Sequence, residues 1–196
     1  MANADFARGL VPLRHMSGAP YNGATNRYYV AAGDSTAIYV GGLVKLAGSA
    51  DADGIASITG NVSTGDAVIG VVQGFALSED SSTDETLFRA GSTLRYVLVA
   101  DDPNLIFEVQ EDSTGGALAA TAVGNVADLT GFTSGNTANG LSSIEIDSST
   151  ASAAGDGTQD VLIWGLSQSP DNAIGDNANW LVRLNNHALV DGFTGA

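Results

Sequence analysis

Short runs of β-branched and aromatic residues recur along this chain, from "RYYVA" (27–31) to "NWLVRLNNHAL" (179–189). Each is closed by a cluster of Gly, Asn, Asp or Ser. That punctuation predicts an all-β fold, a barrel or jelly-roll-like sandwich with long loops. Lys and Glu are scarce, and little in the chain has the Leu, Glu, Lys and Arg of a long amphipathic helix. With 196 residues the chain can bury a real core without staples. It has no cysteine, so no disulfide or thiolate chemistry is available.

The remaining strand expectations follow the same signal. "TAIYVGGLVKLAG" (36–48) reads as two strands broken at Gly41-Gly42. "DAVIGVVQGFAL" (66–77) reads as one strand, with Gly70 and Gly74 marking bulges or close backbone approaches. "TLRYVLVA" (93–100) is almost continuously apolar, which predicts burial on both faces. "LIFEVQE" (105–111) alternates, with Ile106, Glu108 and Gln110 on one face and Leu105, Phe107 and Val109 on the other. "SSIEIDSS" (142–149) and "DVLIWGLSQ" (160–168) add two more. In residues 179–189, Trp180, Val182 and Leu184 face the core and Leu181 and Arg183 face outward. Residues 49–66 read as a hairpin or loop with one weak strand, and 77–91 as an acidic excursion. A short helix is open over 117–129, against Gly124 and two valines.

Pro12 and Pro20 and the absence of any periodic pattern before Arg27 make residues 1–30 an extended N-terminal arm. The body is then 31–196, a single domain with room for an inserted subdomain around 100–160. The net charge of −15 argues against nucleic acid and against anionic membrane surfaces. No apolar run approaches a membrane span, and the N-terminus lacks the apolar core of a secretion signal. The charge is also segregated. Residues 1–45 hold four cations against two acids, and residues 46–196 hold three arginines against twenty acids. A slightly basic head on an acidic body implies two surfaces with different roles.

Chemistry is harder to find. His15 and His187 are the only histidines, and no G-x-S-x-G elbow accompanies them. They read as surface or packing residues. "GGLVKLAG" lacks the order of a phosphate-binding loop. "SADADG" (49–54) and "SPDNAIGDNANW" (169–180) carry oxygen donors that suit calcium, but turn chemistry explains the same residues. Asp101-Asp102 and Glu108 with Glu111 are paired carboxylates without the gathered aromatics of a sugar-cleaving site. Trp164 and Trp180 lie in strand-like runs and are expected in the core. The expectation is a non-enzymatic structural or binding protein, with no metal and no cofactor.

The N-terminal block carries a more specific signal. It contains G-L-x-P-x-R-H (Gly9 to His15), "GAPYNGA" (Gly18 to Ala24), the pair Tyr28-Tyr29, Gly33-Asp34, and G-D-x-V-x-G-V-V (Gly65 to Val72). Together these resemble the head decoration, or capsid cement, proteins of tailed bacteriophages. The likeness covers roughly the first 75 residues, and "NWLVRLNNHAL" is similar to the family's ending. The resemblance implies a virion protein on the outer surface of a phage capsid that bridges neighbouring major capsid protein subunits. Binding only the assembled shell stabilises it by mass action, and many copies add by avidity.

On this reading Arg8, Arg14 and Arg27 pair with capsid carboxylates, and Tyr21, Tyr28 and Tyr29 supply apolar area with a polar tip. A small homo-oligomer is expected, a trimer rather than a dimer. The apolar runs "AVIGVV" (67–72) and "LRYVLVA" (94–100) would offer surface to other copies. Two further readings stay open: a phage tail or baseplate β module, and a carbohydrate-binding β-sandwich.

Overall fold

The computed structural model describes residues 3–76, 86–155 and 157–190. Along the chain come β1 (Val11–His15), β2 (Asn26–Val30), β3 (Leu43–Ala50), β4 (Ala56–Thr59), β5 (Gly70–Ala76), β6 (Arg95–Ala100) and β7 (Leu105–Gln110). Five two-residue strands follow: β8 (Val126–Ala127), β9 (Leu129–Thr130), β10 (Gly135–Asn136), β11 (Leu141–Ser142) and β12 (Glu145–Ile146). Then come β13 (Val161–Leu166) and β14 (Asn179–Leu184). The fold is all-β, and the only helical turns among the described residues are single 3-10 turns at Ala120–Ala122 and Ser148–Thr150. The helix left open over 117–129 reduces to the first of these. Gly124, at φ 87°, turns the chain away, and its N–H bonds the Ile163 carbonyl.

Two layers share one wall. The first is a closed barrel in the order β2-β4-β3-β5-β6. The second is an antiparallel sheet in the order β1-β7-β14-β13-β8. Side chains alternate across a strand, so each shared strand serves two cores. Val44, Val72, Val97 and Val99 fill the barrel with Val30, Ile38, Ile58 and Ile69. Their neighbours Leu43, Val71 and Ala100 point the other way, into a core with Phe107, Val109, Ile163, Trp180 and Val182. Burying each such side chain stabilises by about 1.5–3 kcal/mol. The run "AVIGVV" is therefore consumed internally. In "LRYVLVA", burial on both faces holds only at the Ala100 end, because the second layer reaches no further. Tyr96 and Leu98 stay half-buried on the outer wall.

Gly70 does mark a close approach: a Cβ there would lie 2.3 Å from the Ala100 carbonyl oxygen. A bulge falls between Val72 and Gly74. The weak strand expected in 49–66 is β4, and it closes the barrel. Its seam with β2 rests on one parallel bridge, Tyr29 to Ser57, where every other barrel pairing is antiparallel. Upstream of β3, the expected strand over 36–40 reduces to isolated bridges at Ile38 and Val40.

The expected arm takes a different form. β1 pairs antiparallel with β7, and β2 is a stave of the barrel. The prolines are accommodated because β1 is an edge strand whose free side meets only the bridge from Arg14 to Pro20. Residues 3–8 form a strap across the outer face of the sheet. The Phe6 N–H donates to Gln110 Oε1 at 2.9 Å, and Gln110 Nε2 donates to the Ala4 carbonyl at 2.7 Å. Asn3 Nδ2 donates to the carbonyls of Ala173 and Asp176, both at 2.9 Å. The strap lies against the polar residues of β7, through Gln110 and the Arg8 pair with Glu108, and all six residues of that strand are buried despite their alternation. Residues 1–2, and 77–85 of the acidic excursion, lie outside the described residues.

Candidate binding surface

The barrel's outer wall carries two of the expected binding residues, Arg27 and Tyr29. Tyr29 on β2 pairs with Tyr96 on β6, their ring centroids 5.8 Å apart and tilted by 51°. Arg27, two residues earlier and so on the same face, places its guanidinium carbon 3.7 Å from the Tyr96 ring centroid. The Tyr96 hydroxyl donates to Asp51 Oδ2 at 2.8 Å. Asp51 sits in the turn between β3 and β4, where Oδ1 also accepts the amides of Asp53 and Ile55. Tyr96 thus reaches over β2 and clasps the barrel seam. Although desolvation acts against it, the Ile55 amide, the Tyr96 hydroxyl, the Asp53 amide and the Arg27 charge hold the Asp51 carboxyl below its ordinary range. The hydrogen bond to Asp51, with some desolvation, raises the Tyr96 phenol.

Consecutive strand residues face opposite ways, so Tyr28 leaves this patch. Its hydroxyl donates to Asp101 Oδ2 at 2.7 Å, and Asn26 Nδ2 reaches both Asp101 oxygens. Burial first, then the bond and charge of Asp101, pushes the Tyr28 phenol well up. Tyr21 packs against the larger core and donates to the Ala24 carbonyl at 2.9 Å. Its phenol is raised by burial and by Asp101. Beside it His15 Nδ1 lies 3.0 Å from Asp102 Oδ2, in a cavity of about 120 Å³.

Arg8 and Arg14 stand apart again. Arg8 pairs through Nη2 with Glu108 Oε1, and the Ser167 hydroxyl caps the other Glu108 oxygen. Arg14 lies half-buried on β1 and makes no ion pair among the described residues. The six residues therefore occupy separate places. Arg27 and Tyr29 share one patch, Tyr21 and Tyr28 converge near Asp101, and the other two arginines lie elsewhere.

Other residues went unseen in the sequence. Arg89 is completely buried, and its guanidinium donates to the carbonyls of Thr93, Thr36, Ala31 and Asp34 at 2.5–3.0 Å. Burial pushes its pKa down, and nearby Asp34 opposes that. Arg95 is buried too, so two of the three cations after residue 46 are withdrawn from the surface. Trp180 is in the core as expected, but Trp164 is 41% exposed. It follows Val161 and Ile163, whose side chains are buried, so alternation already turns it outward, and a bulge between Ile163 and Gly165 leaves it unpaired. His187 is buried, its Nδ1 accepting the Leu189 amide.

In 49–54 and 169–180, Asp51 and Asn172 are spent on turns. Asn172, for example, bonds the Ser167 and Asn179 carbonyls and the Asn179 amide. Among the described residues no three His, Asp or Glu side chains are grouped to hold a metal ion. Compared with protein-family models, with curated proteins and with solved structures, the chain matches none.

Proposed function

We propose that this protein is a structural component of a tailed-bacteriophage virion. It docks on the outer surface of the capsid and bridges neighbouring major capsid protein subunits, without enzymatic activity. The observation that carries the reading is the Arg27–Tyr29–Tyr96 patch. It is a guanidinium stacked on one tyrosine beside another, on the wall of a barrel in a chain of net charge −15. Tyrosine and arginine are the residue types that anchor protein interfaces. Closure of the barrel removes its sheet edges, so docking there uses side chains instead of strand addition. The N-terminal resemblance to capsid cement proteins supports the same reading.

Of the two apolar runs expected to serve self-association, 67–72 is taken up by the protein's own cores, and 94–100 leaves only Leu94, Tyr96 and Leu98 partly open to another copy. The test is co-sedimentation with undecorated phage heads. The intact protein is expected to pellet with heads. Arg27→Glu and Tyr29→Ala should each weaken binding about tenfold or more, with circular dichroism confirming the fold. Failure of the intact chain to bind heads, or full binding by both variants, would overturn the proposal.

A further inference from the structure

We propose that the cleft between the N-terminal strap and the β13–β14 loop binds a neutral saccharide. The Phe6 ring is its stacking platform, and Asp171, Ser169 and Asn179 receive its hydroxyls. The cleft has a volume of about 320 Å³. That is the lower end of small-molecule sites, with room for a mono- or disaccharide.

Its walls are held by amides whose hydrogen bonds are already used. Asn3 is tied to the backbone of Ala173 and Asp176, Gln110 to Ala4, Phe6 and Asn177, and Asn172 to Ser167 and Asn179. These bonds join the strap, β7 and the loop into one preformed rim.

Four lining side chains keep unspent capacity. The Asp171 carboxylate, the Ser169 hydroxyl and the Asn179 amide make no side-chain hydrogen bond to a described residue. Arg8 commits only Nη2, to Glu108. Beside them Phe6 is 57% exposed, held in place by its own N–H on Gln110. A carboxylate and an amide accept from and donate to adjacent hydroxyls, and a flat ring covers the C–H face of a pyranose. Charge selects against an anion. Among the described residues the one cation lining the cleft, Arg8, is already balanced by Glu108, and Asp171 would face the ligand unpaired.

The inference goes beyond capsid docking and is measured without phage heads, so either proposal can fail while the other stands. The full chain is titrated with glucose, galactose, N-acetylglucosamine, maltose, lactose and, separately, inorganic phosphate, followed by saturation-transfer NMR and calorimetry. At least one sugar is expected to bind in the millimolar range, and phosphate is not. Phe6→Ala and Asp171→Asn should each weaken the sugar by about tenfold, equivalent to about 1.4 kcal/mol. Asp171→Asn preserves side-chain shape, and both sites are exposed, so thermal unfolding should change little. Binding of phosphate alone, of no sugar, or of sugar equally well by both variants would overturn the proposal.

Discussion

Gly9 and Gly41 meet backbone to backbone. The Leu10 N–H donates to the Gly41 carbonyl at 2.9 Å. A Cβ on Gly9 would stand 2.4 Å from that same oxygen, and a Cβ on Gly41 2.4 Å from the Arg8 carbonyl oxygen. Both residues are left-handed, at φ 68° and 82°. The contact seats Leu10 in the core and joins the start of the chain to the segment leading into β3. Alanine at either position meets both a conformational cost, about 1–2 kcal/mol, and a steric clash with backbone that cannot move aside. Gly41→Ala should therefore lower stability by more than about 2 kcal/mol in urea unfolding. Gly23 is the control: φ is 83° but the space around it is open, so Gly23→Ala should cost only the conformational part. Equal losses at Gly23 and Gly41 would count against the packing argument.

The same contact makes the N-terminal segment part of the fold. Deleting residues 2–24 removes β1, Leu10 and the strap, and uncovers the outer face of β7. The truncated chain should lose cooperative thermal unfolding and its near-ultraviolet circular dichroism. A truncation that melts like the intact chain would show that residues 2–24 add nothing to the core.

The seam clasp predicts a pH dependence. A carboxyl held below its unfolded value contributes stability above that value and loses it as pH falls through the folded one. Tyr96→Phe and Asp51→Asn should each lower the melting temperature at pH 7. The double variant should lose less than the sum of the two, because both disturb the same bond. Below the ordinary aspartate range, about pH 4, the difference between Asp51→Asn and the native chain should close. A constant gap from pH 7 down to pH 2 would refute this.

Arg89 is a buried organiser of two loops. Removing its guanidinium strips the carbonyls of Thr36 and Thr93, at a desolvation cost of about 1–3 kcal/mol each, and leaves those of Ala31 and Asp34 with only the amides of Asp34 and Ser92. Arg89→Met should destabilise by about 3 kcal/mol or more. Arg89→Lys should rescue little, since a single ammonium cannot span the fork. Chemical denaturation of both variants provides the measurement, and a full rescue by lysine would show that charge alone suffices.

Glu145 on β12 titrates near neutrality. Burial first, then the charges of Asp5 on the strap and Asp112, pushes its carboxyl up to about 7. A folded value above the unfolded one means that the folded state holds the extra proton. Stability therefore declines as pH climbs from the ordinary glutamate range through 7. Glu145→Gln should remove that decline, stabilising the protein at pH 8 and changing little at pH 4. Asp5→Asn should lower the Glu145 midpoint in a carboxyl NMR titration. An unchanged midpoint would separate the strap from Glu145.

What the sequence determined by itself was everything carried by local periodicity and turn chemistry. The all-β class, the runs that became β2, β5, β6, β7, β13 and β14, and the inward set Trp180, Val182 and Leu184 all follow from the order of the residues alone. So does the close approach at Gly70, because a glycine inside a β-branched run has few other uses. Tertiary structure decided what covers each face. Alternation in "LIFEVQE" identifies two faces but does not reveal that a strap more than 100 residues away buries the polar one. Two adjacent tyrosines look like one sticky pair until the strand sends Tyr29 to the outer wall and Tyr28 to Asp101. Arg89 departs from its local pattern for the same reason. Four carbonyls from two loops draw a cation inward. Periodicity records how apolar a face is, whereas burial depends on distant partners that only the closed chain brings together.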